Sequence, residues 1–108
     1  MPAAVAADFV QHVTFANCTV RHVGGTGLWV GRSAKSCVIE RCHVRDVAGN
    51  GVMIGEGAVR PIEATATGNT LRDSIIEHCG QRYFGAVGVW VGITRGTVIE
   101  HNTIGHLP

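Results

Sequence analysis

The sequence predicts an all-β chain that folds as a right-handed parallel β-helix of about three and a half coils. Three observations predict it. Two segments match without a gap, "CTVRHVGGTGLWVG" from Cys18 and "CHVRDVAGNGVMIG" from Cys42. A third copy, longer by five residues, starts at Ser74, and a short fourth copy starts at Asn102, so the repeat recurs at spacings of 24, 32 and 28 residues. Equivalent positions hold apolar, mostly β-branched residues in short alternating runs, which is typical of strands and turns.

The apolar positions of the repeat form the predicted interior. Three residues before the start of each copy stand Phe15, Ile39, Leu71 and Ile99. Two residues after the start stand Val20, Val44, Ile76 and Ile104. Parallel strands about 4.8 Å apart would stack each set into a continuous ladder. A small antiparallel sandwich also explains alternation, but it does not explain why the sets keep register across insertions.

One strand of each coil is bracketed by glycines, in "GTGLWVG", "GNGVMIG" and "GAVGVWVG". The aliphatic residues of these strands are Leu28 and Val30, Val52 and Ile54, Val89 and Val91. If they point inward, the alternation of side chains turns Trp29, Met53 and Trp90 outward on one face. The opposite orientation would place two Trp in a narrow interior and six aliphatic side chains in water, a loss on the order of several kcal/mol. We call Trp29, Met53 and Trp90 the outer column.

The outer column is the predicted substrate-binding site. Insertions flank it at residues 56–67 and 81–85, and insertions in solenoids become loops that frame a binding face. An exposed aromatic column in a groove is typical of a platform for sugar rings, which gives a polysaccharide or oligosaccharide as partner. Arg82 and Tyr83, with Gln81 and Glu56, are the rim candidates. The alternative is that the inserted loops, or other parts of a longer chain, cover the column.

Catalytic candidates are weak, and three residues are considered. Asp46 and His78 stand four residues after the start of their copies, as do His22 and His106. An Asp between His residues on neighbouring coils suits an acid–base group or a weak metal site, but a solvated charge ladder at a coil corner has the same pattern. Glu56 is the third candidate, beside the groove floor. No convincing pair of carboxylates for glycoside hydrolysis can be built, so the catalytic residues stay unassigned.

The four cysteines are predicted to be free thiols. Cys18 and Cys42 share the first position of the repeat with Ser74 and Asn102, where small polar residues can bond to turn backbones at a corner. Neighbouring coils would bring Cys18 and Cys42 close enough for a disulfide. Cys79, however, stands in an apolar column, and Cys37 has no obvious mate. A zinc site at Cys37, Cys42 and His43 lacks a second ligand pair at the right spacing, so no metal is expected.

Composition and chain length limit the class of partner and the number of domains. The 108 residues carry a formal net charge of +1, which gives no indication of a nucleic-acid or membrane-surface partner. No apolar run approaches the roughly 20 residues of a membrane span, and the start "MPAAVAADF" is a poor signal peptide. We expect one domain over residues 1–108, with 1–12 as a weak N-terminal cap or lead-in and 13–108 as coils. The Ala-rich run in residues 1–12 is compatible with one helical turn. Exposed coil ends predict self-association.

The motifs "GGTGLWVG", "GNGVMIGEG", "CGQRYFGAVGVWVG" and "GTVIEHNTIGHLP" resemble those of bacterial right-handed β-helix proteins of the pectate-lyase-like superfamily. The likeness runs from about Val13 to Pro108 and is greatest to secreted glycoside hydrolases of the fucosidase/xylanase type. It implies a polysaccharide-active parent enzyme without an organic cofactor, secreted or periplasmic. It also implies catalytic acids in coils beyond this sequence, so that this chain is a fragment that is inactive alone.

Three functions remain open at this point. The first is a segment of a carbohydrate-active protein, a polysaccharide hydrolase or a lyase-like protein, that binds glycan along the outer column. The second is a binding or adhesion module that uses the same column without chemistry. The third is a structural piece of a solenoid that acts only within an assembly. The sequence does not distinguish the sugar or the linkage.

Overall fold

The computed structural model describes residues 3–56, 61, 65–79 and 88–105. In this part of the chain the regular structure consists of short strands without a helix, and every pair of neighbouring strands is parallel. Parallel neighbours that come from successive copies of the repeat define the coils of a right-handed β-helix. The predicted fold is therefore confirmed.

The first sheet contains the glycine-bracketed strands. In spatial order it consists of β1 (Ala3–Ala7), β4 (Thr26–Val30), β7 (Val52–Ile54) and β11 (Val89–Val91). The Ala-rich run therefore does not form the expected helical turn, because its backbone pairs with β4 as a strand. Val5 and Ala7 pair with Leu28 and Val30, the inward positions of β4, which fits the strand period of two.

The second sheet holds the short strands that precede each copy of the repeat. It consists of β2 (Thr14–Ala16), β5 (Val38–Glu40), β9 (Thr70–Arg72) and β13 (Val98–Glu100). Phe15 pairs with Ile39, Ile39 with Leu71 and Leu71 with Ile99, so the predicted ladder is present in register.

The third sheet holds the strands that begin each copy. It consists of β3 (Thr19–Val23), β6 (His43–Val47), β10 (Ile75–Glu77) and β14 (Thr103–Gly105). A two-stranded sheet of β8 (Ala66–Thr67) and β12 (Thr94–Arg95) completes the later coils.

The core is the narrow interior enclosed by these sheets. Its fully buried members come mainly from the second and third coils, and they include Ile39, Val44, Val47, Val52, Ile54, Leu71 and Ile76. Cys37, Cys42 and Cys79 are buried among them, whereas Cys18 is exposed, and all four are free. The repeated apolar columns therefore supply the buried area that stabilises the stack.

Polar side chains at the corners satisfy the turn backbones. Ser74 Oγ accepts from the backbone N–H of Cys42 at 3.2 Å, and Asn102 Oδ1 accepts from that of Ser74 at 3.0 Å. Buried Asn69 accepts from the Cys37 N–H and donates to the Ala34 carbonyl. These bonds fit the expected structural role of the first position of the repeat, because turns away from the strand ladders leave backbone groups that need partners.

The bends between strands repeat a left-handed backbone conformation. Asn17, Arg41, Asp73 and His101 occupy one such bend in successive coils, with φ between 51° and 57°. A second set occupies the bend at the end of β3, β6 and β10, and consists of His22, Asp46 and His78. Asn, Asp and His adopt positive φ more readily than other side chains, which explains why these residue types recur there.

Candidate functional site

The outer column lies on the face of the first sheet opposite the core. Trp29 pairs with Met53, and Met53 with Trp90, so the three residues stand side by side on neighbouring strands. Their chain neighbours Leu28 and Val52 are 2% and 0% exposed, whereas all three members of the column are partly exposed. The inward orientation of the tryptophans is therefore excluded.

Trp29 is fixed to the next coil. Its indole Nε1–H donates to the carbonyl oxygen of Gly55 at 2.9 Å, so the ring reaches across the sheet surface instead of swinging into solvent. Beside it, the Thr26 hydroxyl donates to Met53 Sδ at 3.6 Å. These contacts hold the first half of the column in one arrangement, because a buried or half-buried Trp N–H needs a partner.

Trp90 lies along its own strand. A Cβ placed on Gly92 would touch the benzo ring of Trp90, with Cζ3 at 2.7 Å. The glycine that follows the column residue by two positions thus leaves room for an indole to lie flat on the sheet.

Gly51, which directly precedes β7, is required for a different reason. A Cβ on Gly51 would lie 2.6 Å from the Gly88 carbonyl oxygen and 2.7 Å from Ile76 Cγ2. Only glycine permits this close approach of neighbouring coils.

A pocket of about 370 Å³ opens at the Trp29 end of the column. It is lined by Ala3, Ala6, Asp8, Phe9, Trp29, Arg32 and Glu56. Ala6 is the partner of Trp29 on β1 and takes the position that Met53 and Trp90 hold in later coils. Its small side chain leaves space beside the indole, which forms one wall of the pocket.

The polar residues of the pocket are held by one another. Asp8 Oδ1 accepts from the backbone N–H of Arg32 at 2.8 Å. The Arg32 guanidinium lies 5.9 Å from the centre of the Phe9 ring, and its Nε is 3.4 Å from Glu56 Oε1. Arg32 Nε is buried and makes an ion pair there without the geometry of a hydrogen bond. Glu56 was expected beside the groove floor and is in fact part of this pocket.

Asp46 and His78 lie away from the outer column, at the bend that ends strands of the third sheet. Asp46 Oδ2 is 4.0 Å from His22 Nδ1, and the two side chains are 41% and 70% exposed. His78 takes the equivalent position in the next coil and is exposed. An exposed pair at this distance contributes little, and the left-handed backbone accounts for the residue types, so the charge ladder is the better interpretation.

Several expectations fall outside the described residues. Gln81, Arg82, Tyr83 and His106 are among them, as is most of the insertion at residues 56–67. Whether loops cover the outer column therefore stays a prediction. Within the described ranges no group of three His, Cys, Asp or Glu residues could hold a metal ion, and no helix there is long and apolar enough to cross a membrane.

Burial controls the chemistry of the interior thiols. It raises the pKa of the Cys79 thiol to about 11, and it raises the pKa of Cys42 as well. Both thiol groups also donate to backbone carbonyl groups, Cys42 to Phe15 and Cys79 to Glu77. These cysteines act as small apolar residues of the core and do not suit a nucleophile or metal ligand.

Sequence reasoning missed Asp8, Phe9 and Arg32 as site residues. Strand β1 is a further copy of the bracketed strand, but it pairs with β4 at an offset of 23 residues, as in Val5 with Leu28. The offset between β4 and β7, the two strands of the gap-free repeat, is 24, as in Leu28 with Val52. A gap-free comparison at the repeat spacing therefore passes over the strand that brings Asp8 and Phe9 to the pocket.

The stacked parallel sheets, their inner ladders and their outer column define a parallel β-helix. The chain belongs to the family described as "Right handed beta helix region", whose model matches residues 3–107. A solved structure named "Glycoside hydrolase" is similar with a TM-score of 0.87 and 24% identity, over 98% of this chain and 20% of that one. This chain thus spans about a fifth of that structure's length, and the likeness at this identity is one of fold. No curated protein matches the sequence.

Proposed function

We propose that this chain is the glycan-binding part of a carbohydrate-active β-helix protein, and that the glycan lies along the outer column. The observation that carries the proposal is the in-register stack of Trp29, Met53 and Trp90 on one sheet face, partly exposed above a buried core. The structural likeness to a protein named "Glycoside hydrolase" supports the carbohydrate class.

The geometry suits sugar rings for a physical reason. An indole that lies flat on a sheet offers its face, and the C–H groups of a sugar ring pack on such a face while the hydroxyl groups stay hydrated. Trp90 has this arrangement above Gly92. Neighbouring strands stand about 4.8 Å apart, so Trp29 and Trp90, separated by one strand, lie about 10 Å apart along the stack. This spacing suits binding of an oligosaccharide across several coils, with Arg82 and Tyr83 proposed at its rim.

We propose a hydrolase as the parent protein and assign no catalytic pair within this chain. Asp46 and His78 lie on the third sheet, away from the glycan surface. Glu56 lies in the pocket beside Trp29 and is paired with Arg32, which fits a binding residue. In this proposal the chain binds glycan without cleaving it.

Tryptophan fluorescence tests the proposal. A panel of neutral plant and algal oligosaccharides is titrated into the protein, and we expect a saturable change in emission. Trp90→Ala should weaken binding by about tenfold or more, since loss of an aromatic contact costs about 1–3 kcal/mol in comparable stacking sites. Trp90→Phe, which keeps a ring, should recover part of the affinity.

Val98→Ala is the matched control, because Val98 is an exposed apolar residue on the second sheet. It should bind like the unmodified protein. Affinity unchanged by Trp90→Ala, or no binding across the panel, would overturn the proposal and favour a purely structural role. Release of reducing ends by this chain would contradict the absence of a catalytic pair.

A further inference from the structure

The pocket beside Trp29 has features that a flat aromatic platform does not explain. It combines two aromatic residues, Phe9 and Trp29, with the carboxylates of Asp8 and Glu56 and the guanidinium of Arg32. Its volume of about 370 Å³ is at the small end of ligand pockets, which run from about 300 to 1,000 Å³. The pocket therefore suits one ring-sized group at the end of the outer column.

We propose that this pocket is a subsite for a single sugar ring without negative charge, and that it favours an amino sugar. The inference rests on the proposed glycan-binding function and adds the class of ring bound at this position. Its basis is the charge of the described lining residues, among which two carboxylates stand against one guanidinium.

The guanidinium of Arg32 is already engaged on both sides. It lies over the Phe9 ring, and its Nε faces Glu56 Oε1 at 3.4 Å. A uronate that approached Arg32 would also face the carboxylates of Asp8 and Glu56, which line the same pocket. Like charges brought together in this way reduce binding and give selectivity against anionic sugars.

The same arrangement attracts a sugar ammonium group. Asp8 is held in place through its contact with the backbone of Arg32, so its carboxylate needs no reorganisation to accept from the ligand. Glycine at position 31 leaves room for the Asp8 carboxylate beside Trp29, because a Cβ there would touch Asp8 Oδ1 and lie 3.4 Å from Trp29 Nε1. The ring face then packs against the aromatic wall while the ammonium faces the carboxylates.

Three monosaccharides that differ in charge test the inference. Glucosamine, glucose and glucuronate are compared on the full chain by saturation-transfer NMR, with dissociation constants from titration of backbone amide shifts. We expect glucosamine to bind about three- to fivefold more tightly than glucose, the effect of one partly exposed ion pair, and glucuronate to bind most weakly. Raising the salt concentration should reduce the preference for glucosamine.

Asp8→Asn combined with Glu56→Gln is the decisive variant. The Asn oxygen can still accept from the Arg32 N–H, so the corner is preserved, and thermal unfolding checks this. The double variant should bind glucosamine and glucose within about twofold of each other. Glu100→Gln removes one carboxylate on the second sheet and should leave the preference unchanged.

The outcomes separate this inference from the proposed function. Glucuronate binding as tightly as glucosamine, no preference in the unmodified protein, no binding of glucosamine, or a preference that persists in the double variant would each overturn the subsite. If oligosaccharides still bind and depend on Trp90, the glycan-binding function stands without it. If oligosaccharides fail to bind while glucosamine binds at the pocket, the outer column proposal fails instead.

Discussion

The third and fourth coils carry the same residue types at the same positions, yet they bury them to different degrees. Ile76 and Ile104 are partners in one ladder, but their exposed fractions are 0% and 44%. Leu71 and Ile99 repeat the pattern at 0% and 41%. Strands β9 and β10 have neighbours on both sides, whereas β13 and β14 are edge strands within the described residues. Burial is thus a property of the stack, not of the repeat.

Shortening the two partners of this ladder should give the largest contrast. We expect Ile76→Ala to lower the free energy of unfolding by about 2–5 kcal/mol, because it leaves a cavity in a closed core. Ile104→Ala should cost under about 1 kcal/mol, since much of that side chain already contacts water. Urea denaturation measures both, and equal losses would contradict the comparison.

Adding a methyl group to a glycine probes the same contrast from the opposite direction. Gly51→Ala should destabilise by about 1–3 kcal/mol, because its Cβ would collide with the Gly88 carbonyl oxygen and with Ile76. Gly105→Ala is the matched change in the fourth coil, where nothing lies within 4 Å of the added atom. It should leave the midpoint of thermal unfolding nearly unchanged or slightly raised.

The exposed edge of the fourth coil should drive self-association. Apolar side chains beside unpaired strand groups are a template for pairing with another copy. We expect a light-scattering mass above that of the monomer that falls on dilution, and Ile104→Lys should shift it toward the monomer. Ile75→Lys is the control, since Ile75 is 43% exposed but lies on the outer side of an interior strand. A monomer mass independent of concentration would contradict this expectation.

Thiol reactivity should separate the surface from the closed interior. At pH 8, alkylation of the native protein should modify exposed Cys18 first. Cys79 should react only on unfolding, because burial both shields it and raises its pKa to about 11, so little thiolate forms. Peptide mass mapping after a short pulse identifies the labelled residue. Modification of Cys79 at the rate of Cys18 would show that the third coil opens readily.

The smallest expected effect distinguishes two glutamates in one outer ladder. Glu40 and Glu100 both pair with Arg72 in register, but Arg72 directs two guanidinium hydrogen bonds, at 3.0 and 2.8 Å, to Glu40. The hydrogen bond from Arg72 holds the pKa of Glu40 below its usual range. Its stabilisation is therefore present above the usual Glu range and is lost as pH falls through the lowered pKa. Unfolding midpoints between pH 3 and 7 should show a smaller acid-dependent loss in Glu40→Gln than in Glu100→Gln.

The sequence by itself determined the class of fold and the placement of the columns. Repetition of β-branched residues at fixed positions leaves one way to stack them, because a slip by one residue would turn every ladder inside out. The same alternation predicts that Trp29, Met53 and Trp90 lie on the outer face. The prediction that the cysteines are free thiols rests on the apolar column that Cys79 shares with Val23 and Val47.

Only the tertiary structure decided what surrounds those columns. The pocket depends on β1 pairing at an offset of 23 residues, which no local pattern reveals, and on Arg32 turning toward Phe9 and Glu56. The Asp and His residues that suggested chemistry share a left-handed bend, and this backbone conformation accounts for their residue types. Local alternation specifies which way a side chain points, but long-range pairing specifies what it meets, because contacts between coils join residues more than twenty positions apart.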